Sequence, residues 1–183
     1  MKEWKTLSNE TILDMGKYLK VESHKIELPD GKIIENWPWI ITPDFVNVAA
    51  ITKEKKFVCF RQIKYAVEGT SFAPVGGHIE ENENPLVAAK RELLEETGYS
   101  ASKWIDMGNF TTEANRGGGR AHFYLAIDAE KVAEPNSDDL EQQELILLDF
   151  DKTKKLVSAG EFKVLTWTTC MLLAINYINN NPI

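Results

Sequence analysis

Short apolar runs bounded by polar or glycine-containing turns recur along much of the chain, a pattern typical of β-strands. A strand region over about residues 16–41 is divided by Pro29-Asp30-Gly31, a turn sequence that predicts a hairpin. A charged turn at residues 53–56 separates the first two of the further runs. Those further strands are predicted at residues 45–51, 57–62, 123–127 and 144–148.

Two segments have the features of helices. In the first, Asn84 is a suitable N-cap, Pro85 suits the first turn, and Gly98 is placed to end the helix. A second helix is predicted at about residues 162–179. Strands combined with two helices indicate an α/β sandwich rather than a bundle or a barrel.

The composition restricts the classes of partner. The 183 residues include 21 basic and 28 acidic side chains, a formal net charge of -7, so nucleic acid is not expected as a partner. No signal peptide and no apolar stretch of membrane-spanning length is recognised, so we expect a soluble cytoplasmic protein without membrane contact. Cys59 and Cys170 lie in apolar runs without metal-ligand spacing and are expected to be structural thiols.

Acidic residues are concentrated on the first predicted helix. Glu92, Glu95 and Glu96 are spaced i, i+3, i+4, which places three carboxylates on one helix face. Arg91 precedes Glu95 by four residues, and Glu83 lies just before the helix. Carboxylates are the ligands that Mg²⁺ prefers, and such a centre suits pyrophosphate chemistry. From the helix alone, an ordinary amphipathic surface helix is the favoured interpretation.

The residues around this helix extend the pattern. The chain resembles the Nudix family, whose box is written GX5EX7REUXEEXGU with U an apolar residue. Every fixed position is filled at the right spacing, with Tyr99 a less usual last member. The matching residues are Gly77, Glu83, Arg91, Glu92, Leu93, Glu95, Glu96, Gly98 and Tyr99.

The resemblance implies a fold and a metal centre. It implies an α/β/α sandwich with a mixed sheet, formed by residues 43–183, preceded by an N-terminal β extension at residues 1–42. The implied cofactor is Mg²⁺, with Mn²⁺ as a possible substitute. The implied ligands are Glu92, Glu95, Glu96 and the carbonyl of Gly76. Arg91 is implied to orient Glu83 and Glu95.

The resemblance extends to the ADP-ribose and ADP-sugar pyrophosphatase branch. It is carried by residues 16–21, 28–32, 60–65 and 160–163. Members of that branch are typically homodimers in which the N-terminal strands contact the partner and the substrate. By this likeness, Tyr18 and Trp37 are candidates for stacking on the base, although Trp37 could equally be a packing residue. Arg61 and Lys64 are candidates for binding the diphosphate, although both could simply be solvated.

Two features depart from the branch. Ala73 stands where relatives usually have a metal-binding glutamate. A run of three glycines lies between Arg116 and Arg120, where relatives tend to have a proline. Glycines free the backbone N–H groups and arginines bind phosphate, so this loop is either an anion-binding loop or an ordinary hairpin loop. These departures weaken the expectation that ADP-ribose itself is the substrate, but not the expectation of pyrophosphate hydrolysis.

The proton acceptor has three candidates. Glu144 directly precedes an apolar strand and is preferred to Glu141, and Glu95 of the box is the rival. The spacing of His24, His78 and His122 suggests no metal site, and His78 is expected to be exposed.

The expected function is Mg²⁺-dependent hydrolysis of the pyrophosphate bond of a nucleoside diphosphate joined to another group. A nucleotide sugar such as ADP-ribose is the preferred small-molecule substrate. The alternatives are a nucleoside triphosphate pyrophosphatase and a non-catalytic Nudix domain that senses a nucleotide sugar. The N-terminal extension argues against the first alternative, and the complete set of box carboxylates argues against the second.

Overall fold

The computed structural model describes residues 1–136 and 142–181. The chain forms two compact units. The first consists of Met1–Asp44 and Phe110–Ala121, and the second of Phe45–Asn109 and the chain from His122 onward. No helix in the described part of the chain is long and apolar enough to cross a membrane.

Three antiparallel strands dominate the first unit: β1 (Lys5–Asp14), β2 (Lys20–Glu27) and β3 (Ile33–Ile41). The hairpin predicted at Pro29-Asp30-Gly31 is confirmed, and Asp30 Oδ1 accepts a hydrogen bond from the Lys32 N–H at 3.0 Å. Strand β1 was not predicted. It is exposed along its whole length, so its sequence carries no alternation between buried and exposed positions.

The second unit contains the longer set of strands. These are β4 (Phe45–Thr52), β5 (Lys56–Gln62), β6 (Ser71–Ala73), β7 (Val75–His78), β8 (Tyr99–Ser100), β9 (Lys103–Glu113), β10 (Gly117–Lys131) and β11 (Gln143–Asp149), of which β9 and β10 also include residues of the first unit. The four predicted strands are confirmed as parts of β4, β5, β10 and β11, whereas the long β9 was not predicted. The central order is β10-β4-β5-β11.

Strands β4 and β5 separate along their length. They pair with each other at Ala50–Val58 and Ile51–Phe57. Nearer the start of β4 and the end of β5, β4 pairs with β7 and β5 pairs with β6. The two inserted strands are consecutive in the chain and are separated by Pro74, which cannot donate a ladder hydrogen bond. The segment that leads into the first helix therefore starts from within the sheet.

The described residues form three helices, α1 (Pro85–Thr97), α2 (Phe150–Ser158) and α3 (Leu165–Asn180). The predicted ends of α1 are confirmed: Asn84 Oδ1 accepts from the Leu86 N–H, and Gly98 adopts a left-handed conformation with φ of +73°. The expectation of two helices was wrong, because α2 is only 9 residues long and follows β11 without a turn signal. Helix α3 begins at Leu165 rather than near residue 162.

Helices lie on both faces of the central strands. On one face, Val46, Val48 and Ala50 of β4 pack in a common core with Ala89 and Leu93 of α1. On the other side, Cys170 of α3 donates from Sγ to the main-chain oxygen of Asn47 at 3.5 Å. Both free cysteines are fully buried, consistent with structural thiols. The layered α/β arrangement expected from the sequence is confirmed.

Candidate active site

Two glycines bring the backbone of β7 against its neighbours. A Cβ atom on Gly76 would lie 2.5 Å from the main-chain oxygen of Val46, which is too close for a real contact. A Cβ atom on Gly77 would lie 2.2 Å from the carboxylate carbon of Glu92. The carboxylate of Glu92 therefore lies directly against the backbone of β7, in space that any other residue at position 77 would fill.

Arg91 is the centre of the acidic cluster. Its Nε and Nη2 atoms donate to the two carboxylate oxygens of Glu83 at 2.9 and 2.8 Å, a bidentate pair. Its Nη1 atom donates to Glu92 at 2.8 Å and to Glu95 at 3.2 Å. Nη2 also donates to the main-chain oxygen of His78 at 3.1 Å. One planar guanidinium thus joins the end of β7, the following loop and two successive turns of α1.

The carboxylates of this cluster differ in their surroundings. Desolvation raises the pKa of Glu92, which is only 9% exposed, although the adjacent Arg91 opposes this shift. The hydrogen bonds from Arg91 hold the pKa of Glu83 below its usual value, and the Glu83 carboxylate raises the pKa of Arg91 in return. Glu83 is therefore ionised at neutral pH and serves to fix the arginine.

Glu95 and Glu96 lie in the last turn of α1, which contains no basic residue. The side chain of Glu95 is 48% exposed. Glu96 is half-buried, and its Oε2 atom accepts a hydrogen bond from Nε2 of Gln143 at 2.9 Å. Sequence reasoning missed Gln143. The only available signal was strand alternation, which places Gln143 on the same face of β11 as Leu145, a half-buried residue that packs against the core.

The candidate bases are placed differently. Glu144 follows Gln143 in β11, so its side chain points to the opposite face of that strand. It is 67% exposed and lies 4.0 Å from Nη1 of Arg61, its register partner in β5. Glu95 lies within the Arg91 cluster, and Glu141 lies outside the described residues.

The two residues predicted to stack on the base, Tyr18 and Trp37, lie in the first unit. Tyr18 is 59% exposed, and the Nζ atom of Lys17 lies 4.9 Å from the centre of its ring. The indole N–H of Trp37 donates to the main-chain oxygen of Asn115 at 2.7 Å. The ring of Trp37 also makes an edge contact with Trp4 at 5.4 Å between centroids. Trp37 thus has packing partners, and Tyr18 presents its ring to solvent.

The expectation of a loop at the three glycines was wrong: Gly117, Gly118 and Gly119 begin β10, and the turn lies at residues 114–116. The backbone here packs closely against its neighbours. A Cβ atom on Gly119 would lie 2.0 Å from the main-chain oxygen of Pro43. The N–H of Gly119 donates to Thr42 Oγ1, and the N–H of Arg120 donates to Asp44 Oδ1, each at 2.7 Å. These two N–H groups are therefore engaged within the protein. The side chains of Arg116 and Arg120 are on exposed residues.

The remaining predicted residues are not part of the Arg91 cluster. Lys64 lies in the turn after β5, where its main-chain oxygen accepts from the Val67 N–H at 2.9 Å. His78 is exposed as expected, and its carbonyl oxygen, which the sequence did not single out, accepts from Arg91. His24 is buried beside Glu22, with 2.9 Å between Nε2 and Oε2.

The donor set suits a hard divalent cation. Among the described residues, no group of three or more acidic, histidine or cysteine side chains forms a complete metal cage. Mg²⁺ is usually bound by one or two carboxylates together with water and substrate phosphates, so a complete cage is not needed. The carboxylate of Glu92 lies against Gly77, next to the exposed Gly76 in β7, and Glu96 is on the same helix as Glu92.

Known proteins share the fold and part of the sequence of this chain. A solved structure described as an ADP compounds hydrolase has the same fold, with a TM-score of 0.83 at 17% identity, covering 100% of this chain and 97% of the other. The ADP-ribose pyrophosphatase of Bacillus subtilis (strain 168) is 31% identical over 160 residues, which are 87% of this chain and 85% of the relative. The methanol dehydrogenase activator of Bacillus methanolicus is 29% identical over 177 residues, 96% of this chain and 92% of the relative.

The fold and helix α1 with its box residues define an α/β enzyme of the pyrophosphohydrolase class. The NUDIX domain model matches residues 43–168, so the chain belongs to the Nudix family. Nudix hydrolases generally use divalent metal cations. The resemblance recognised from the box residues is thereby confirmed.

Proposed function

We propose that this enzyme hydrolyses the pyrophosphate bond of a nucleoside diphosphate joined to a sugar, with ADP-ribose as the preferred substrate and AMP and a sugar phosphate as products. The observation that carries the proposal is the Arg91 network, which joins Glu83, Glu92 and Glu95, with Glu92 beside Gly77. The likeness to an ADP-ribose pyrophosphatase over most of the chain supports the choice of substrate.

The proposed reaction is attack of water on one phosphorus of the bridge. A bond forms between the water oxygen and that phosphorus, and the bond from the same phosphorus to the bridging oxygen breaks. A glutamate carboxylate takes the proton of the water, and the bridging oxygen leaves with the other phosphate. Arg91 holds the carboxylates in place during this step, which limits the reorganisation that the reaction requires.

Glu92, Glu96 and the carbonyl of Gly76 are the proposed ligands of Mg²⁺ or Mn²⁺, with Glu95 as a further ligand or the base. A bound divalent cation would neutralise charge on the phosphate oxygens and lower the pKa of a bound water. Desolvation of Glu92 is consistent with this role, because a buried carboxylate is stabilised in its ionised form by a nearby cation.

The substrate contacts are proposed for side chains outside the cluster. Tyr18 and Trp37 are proposed to stack on the base, and Arg61, Lys64, Arg116 and Arg120 to bind phosphate. The first unit is also proposed to form a homodimer, because β1 exposes Leu7, Ile12 and Leu13 along an edge strand. Light scattering coupled to size-exclusion chromatography tests the dimer, and a strictly monomeric mass at micromolar concentration would refute it.

The experiment for the proposed function is a substrate panel of ADP-ribose, GDP-mannose, UDP-glucose, NADH and deoxynucleoside triphosphates. Each is incubated with protein and Mg²⁺, with and without EDTA, and the products are separated chromatographically. We expect AMP and ribose 5-phosphate from ADP-ribose and no product with EDTA. Glu96→Gln is expected to abolish turnover, and Glu130→Gln, which changes an exposed carboxylate of β10, is the matched control.

The same panel separates the alternatives. Release of inorganic pyrophosphate from triphosphates, with no cleavage of nucleotide sugars, would indicate a triphosphate pyrophosphatase. Binding of a nucleotide sugar by calorimetry without any product would indicate a sensing domain. Either result, or a Glu96→Gln variant with near-normal turnover, would refute the proposal.

A further inference from the structure

Gln143 lies outside the box but contacts Glu96 of helix α1. It is the first residue of β11, and its hydrogen bond to Glu96 joins two positions that are 47 residues apart in the sequence. The contact is part-buried, and Leu145, two residues further on the same strand face, packs into the core with α1. The alternation of side chains along β11 therefore directs Gln143 towards α1.

The type of donor is informative. Arg91 donates to Glu83, Glu92 and Glu95 and brings a full positive charge to them. Gln143 instead gives Glu96 a neutral amide donor. A neutral donor orients a carboxylate without cancelling its charge, whereas a lysine or an arginine would compete with a bound cation for it.

The position of Glu96 in the helix strengthens this argument. It lies in the last turn of α1, at the negative end of the helix dipole, and that turn has no basic residue. Negative charge is unfavourable there unless a donor or a cation compensates it. The amide of Gln143 provides the donor and leaves the charge in place for a cation.

The neighbouring strand places a second glutamine beside Gln143. Gln62 of β5 is the direct register partner of Gln143, and it is only 5% exposed. Its Oε1 atom is buried without a hydrogen-bond partner among the described residues. Side chains at paired positions have their Cβ atoms about 4.5–5.5 Å apart, so the Gln62 and Gln143 side chains are neighbours on one face of the sheet.

We propose that Gln143 is a positioning residue that orients Glu96 for divalent-cation binding through the hydrogen bond between its Nε2 atom and Oε2 of Glu96. The inference rests on the proposed function in one respect, namely that Glu96 is a metal ligand. It goes beyond that function by giving a residue of β11 a role in setting the affinity of the metal site.

The test is direct Mn²⁺ binding without substrate, measured by electron paramagnetic resonance of free Mn²⁺ and by calorimetry. Gln143→Leu keeps the approximate size of the side chain and removes the donor, and Gln143→Glu keeps the shape and adds a carboxylate next to Glu96. Gln142→Leu, a change at the exposed preceding residue, is the matched control. Thermal unfolding of each metal-free variant shows that the protein is folded.

We expect Gln143→Leu to raise the Kd for Mn²⁺ by about 10-fold or more, the range found when a residue that orients a metal ligand is removed. Gln143→Glu is expected to unfold at a lower temperature than the wild type without metal and to bind Mn²⁺ at least as tightly as the wild type. Gln142→Leu is expected to match the wild type. If Gln143 had a purely structural role, both substitutions at position 143 would lower the stability of the protein. The two variants would then have the same affinity for Mn²⁺.

The outcomes separate this inference from the proposed function. If the wild type binds Mn²⁺ and Gln143→Leu binds it equally well, the role of Gln143 is refuted while the metal site stands. If the wild type binds no Mn²⁺ at millimolar concentration, both the metal site and the inference are refuted. A failure of all nucleotide sugars in the substrate panel, with Mn²⁺ binding still weakened in Gln143→Leu, would refute the substrate and support the inference.

Discussion

Arg91 donates hydrogen bonds to both carboxylate oxygens of Glu83, with 2.9 Å from Nε to Oε1 and 2.8 Å from Nη2 to Oε2. Because Glu83 lies in the loop and Arg91 in the second turn of α1, this pair closes the loop that leads from β7 to the helix. Two further carboxylates depend on the same guanidinium. The geometry of the cluster is therefore sensitive to one side chain.

Arg91→Lys tests that dependence. A lysine has a single ammonium group and cannot hold Glu83 in a bidentate manner while also contacting Glu92 and Glu95. Hydrogen bonds to charged groups contribute about 1.5–3 kcal/mol, and 1 kcal/mol changes the Tm of a chain of this size by about 2–4 °C. We expect a Tm lower by about 3–10 °C, measured by calorimetry, together with a large loss of turnover.

A double-mutant cycle with Glu83→Gln shows whether the effect passes through Glu83. We expect the two changes to be clearly non-additive, since both remove the same bidentate pair. Strict additivity of the two Tm changes would mean that the Arg91–Glu83 contact contributes little to stability.

The adjacent glycines of β7 are expected to respond differently to alanine. In Gly76→Ala the new Cβ meets the rigid main-chain oxygen of Val46, so we expect overpacking at a cost of about 1–3 kcal/mol of unfolding free energy. In Gly77→Ala it meets the carboxylate of Glu92, which is the end of a flexible side chain. That variant is expected to lose turnover and metal affinity with a smaller loss of stability.

Urea unfolding and steady-state kinetics of both glycine variants provide the comparison. A Gly77→Ala enzyme with normal kcat would show that the position of Glu92 against Gly77 is not needed for activity.

The candidate bases are separated by Glu95→Gln, Glu141→Gln and Glu144→Gln. Glu144 is an exposed partner of Arg61 and points away from the face of β11 that meets α1, and exposed ion pairs contribute only about 0–1 kcal/mol. Because the Glu144 side chain is directed away from that face, we expect Glu144→Gln to change the activation free energy by less than about 1 kcal/mol, a factor of about 5 in kcat. The loss of a base is expected in Glu95→Gln or in Glu141→Gln.

Measurement of kcat at saturating Mg²⁺ for the three variants shows which of these glutamates is the base. A loss of several orders of magnitude in Glu144→Gln alone would restore the assignment preferred from the sequence.

The two thiols are expected to be unreactive in the folded protein. Burial raises the pKa of both Cys59 and Cys170 well above the ordinary value, so neither forms a thiolate at pH 8. We expect Ellman's reagent at pH 8 to label neither thiol in the native protein and both in guanidinium chloride. Rapid labelling of a native thiol at a rate above that of global unfolding would contradict the burial of these residues.

The local order of residues determined much of this protein. The main parts of β4, β5, β10 and β11, the caps of α1 and the spacing of Glu92, Glu95 and Glu96 follow from short-range patterns, because side-chain period and capping chemistry act within a few residues. The box residues likewise indicated the family before any contact was known. Strand β1 and helix α2 did not follow, because an all-exposed strand and a 9-residue helix carry little periodic signal.

Only the tertiary structure decided which side chains meet. The sequence placed Glu144 next to Gln143 without indicating which of them is directed towards α1, and the pairing of β11 with β5 settles that choice. It also left Gly117–Gly119 as either an anion-binding loop or an ordinary hairpin loop, whereas these residues lie in β10 and the close approach of Gly119 to Pro43 explains one of the glycines. Contacts between residues far apart in the chain depend on strand register and packing, which no local pattern specifies.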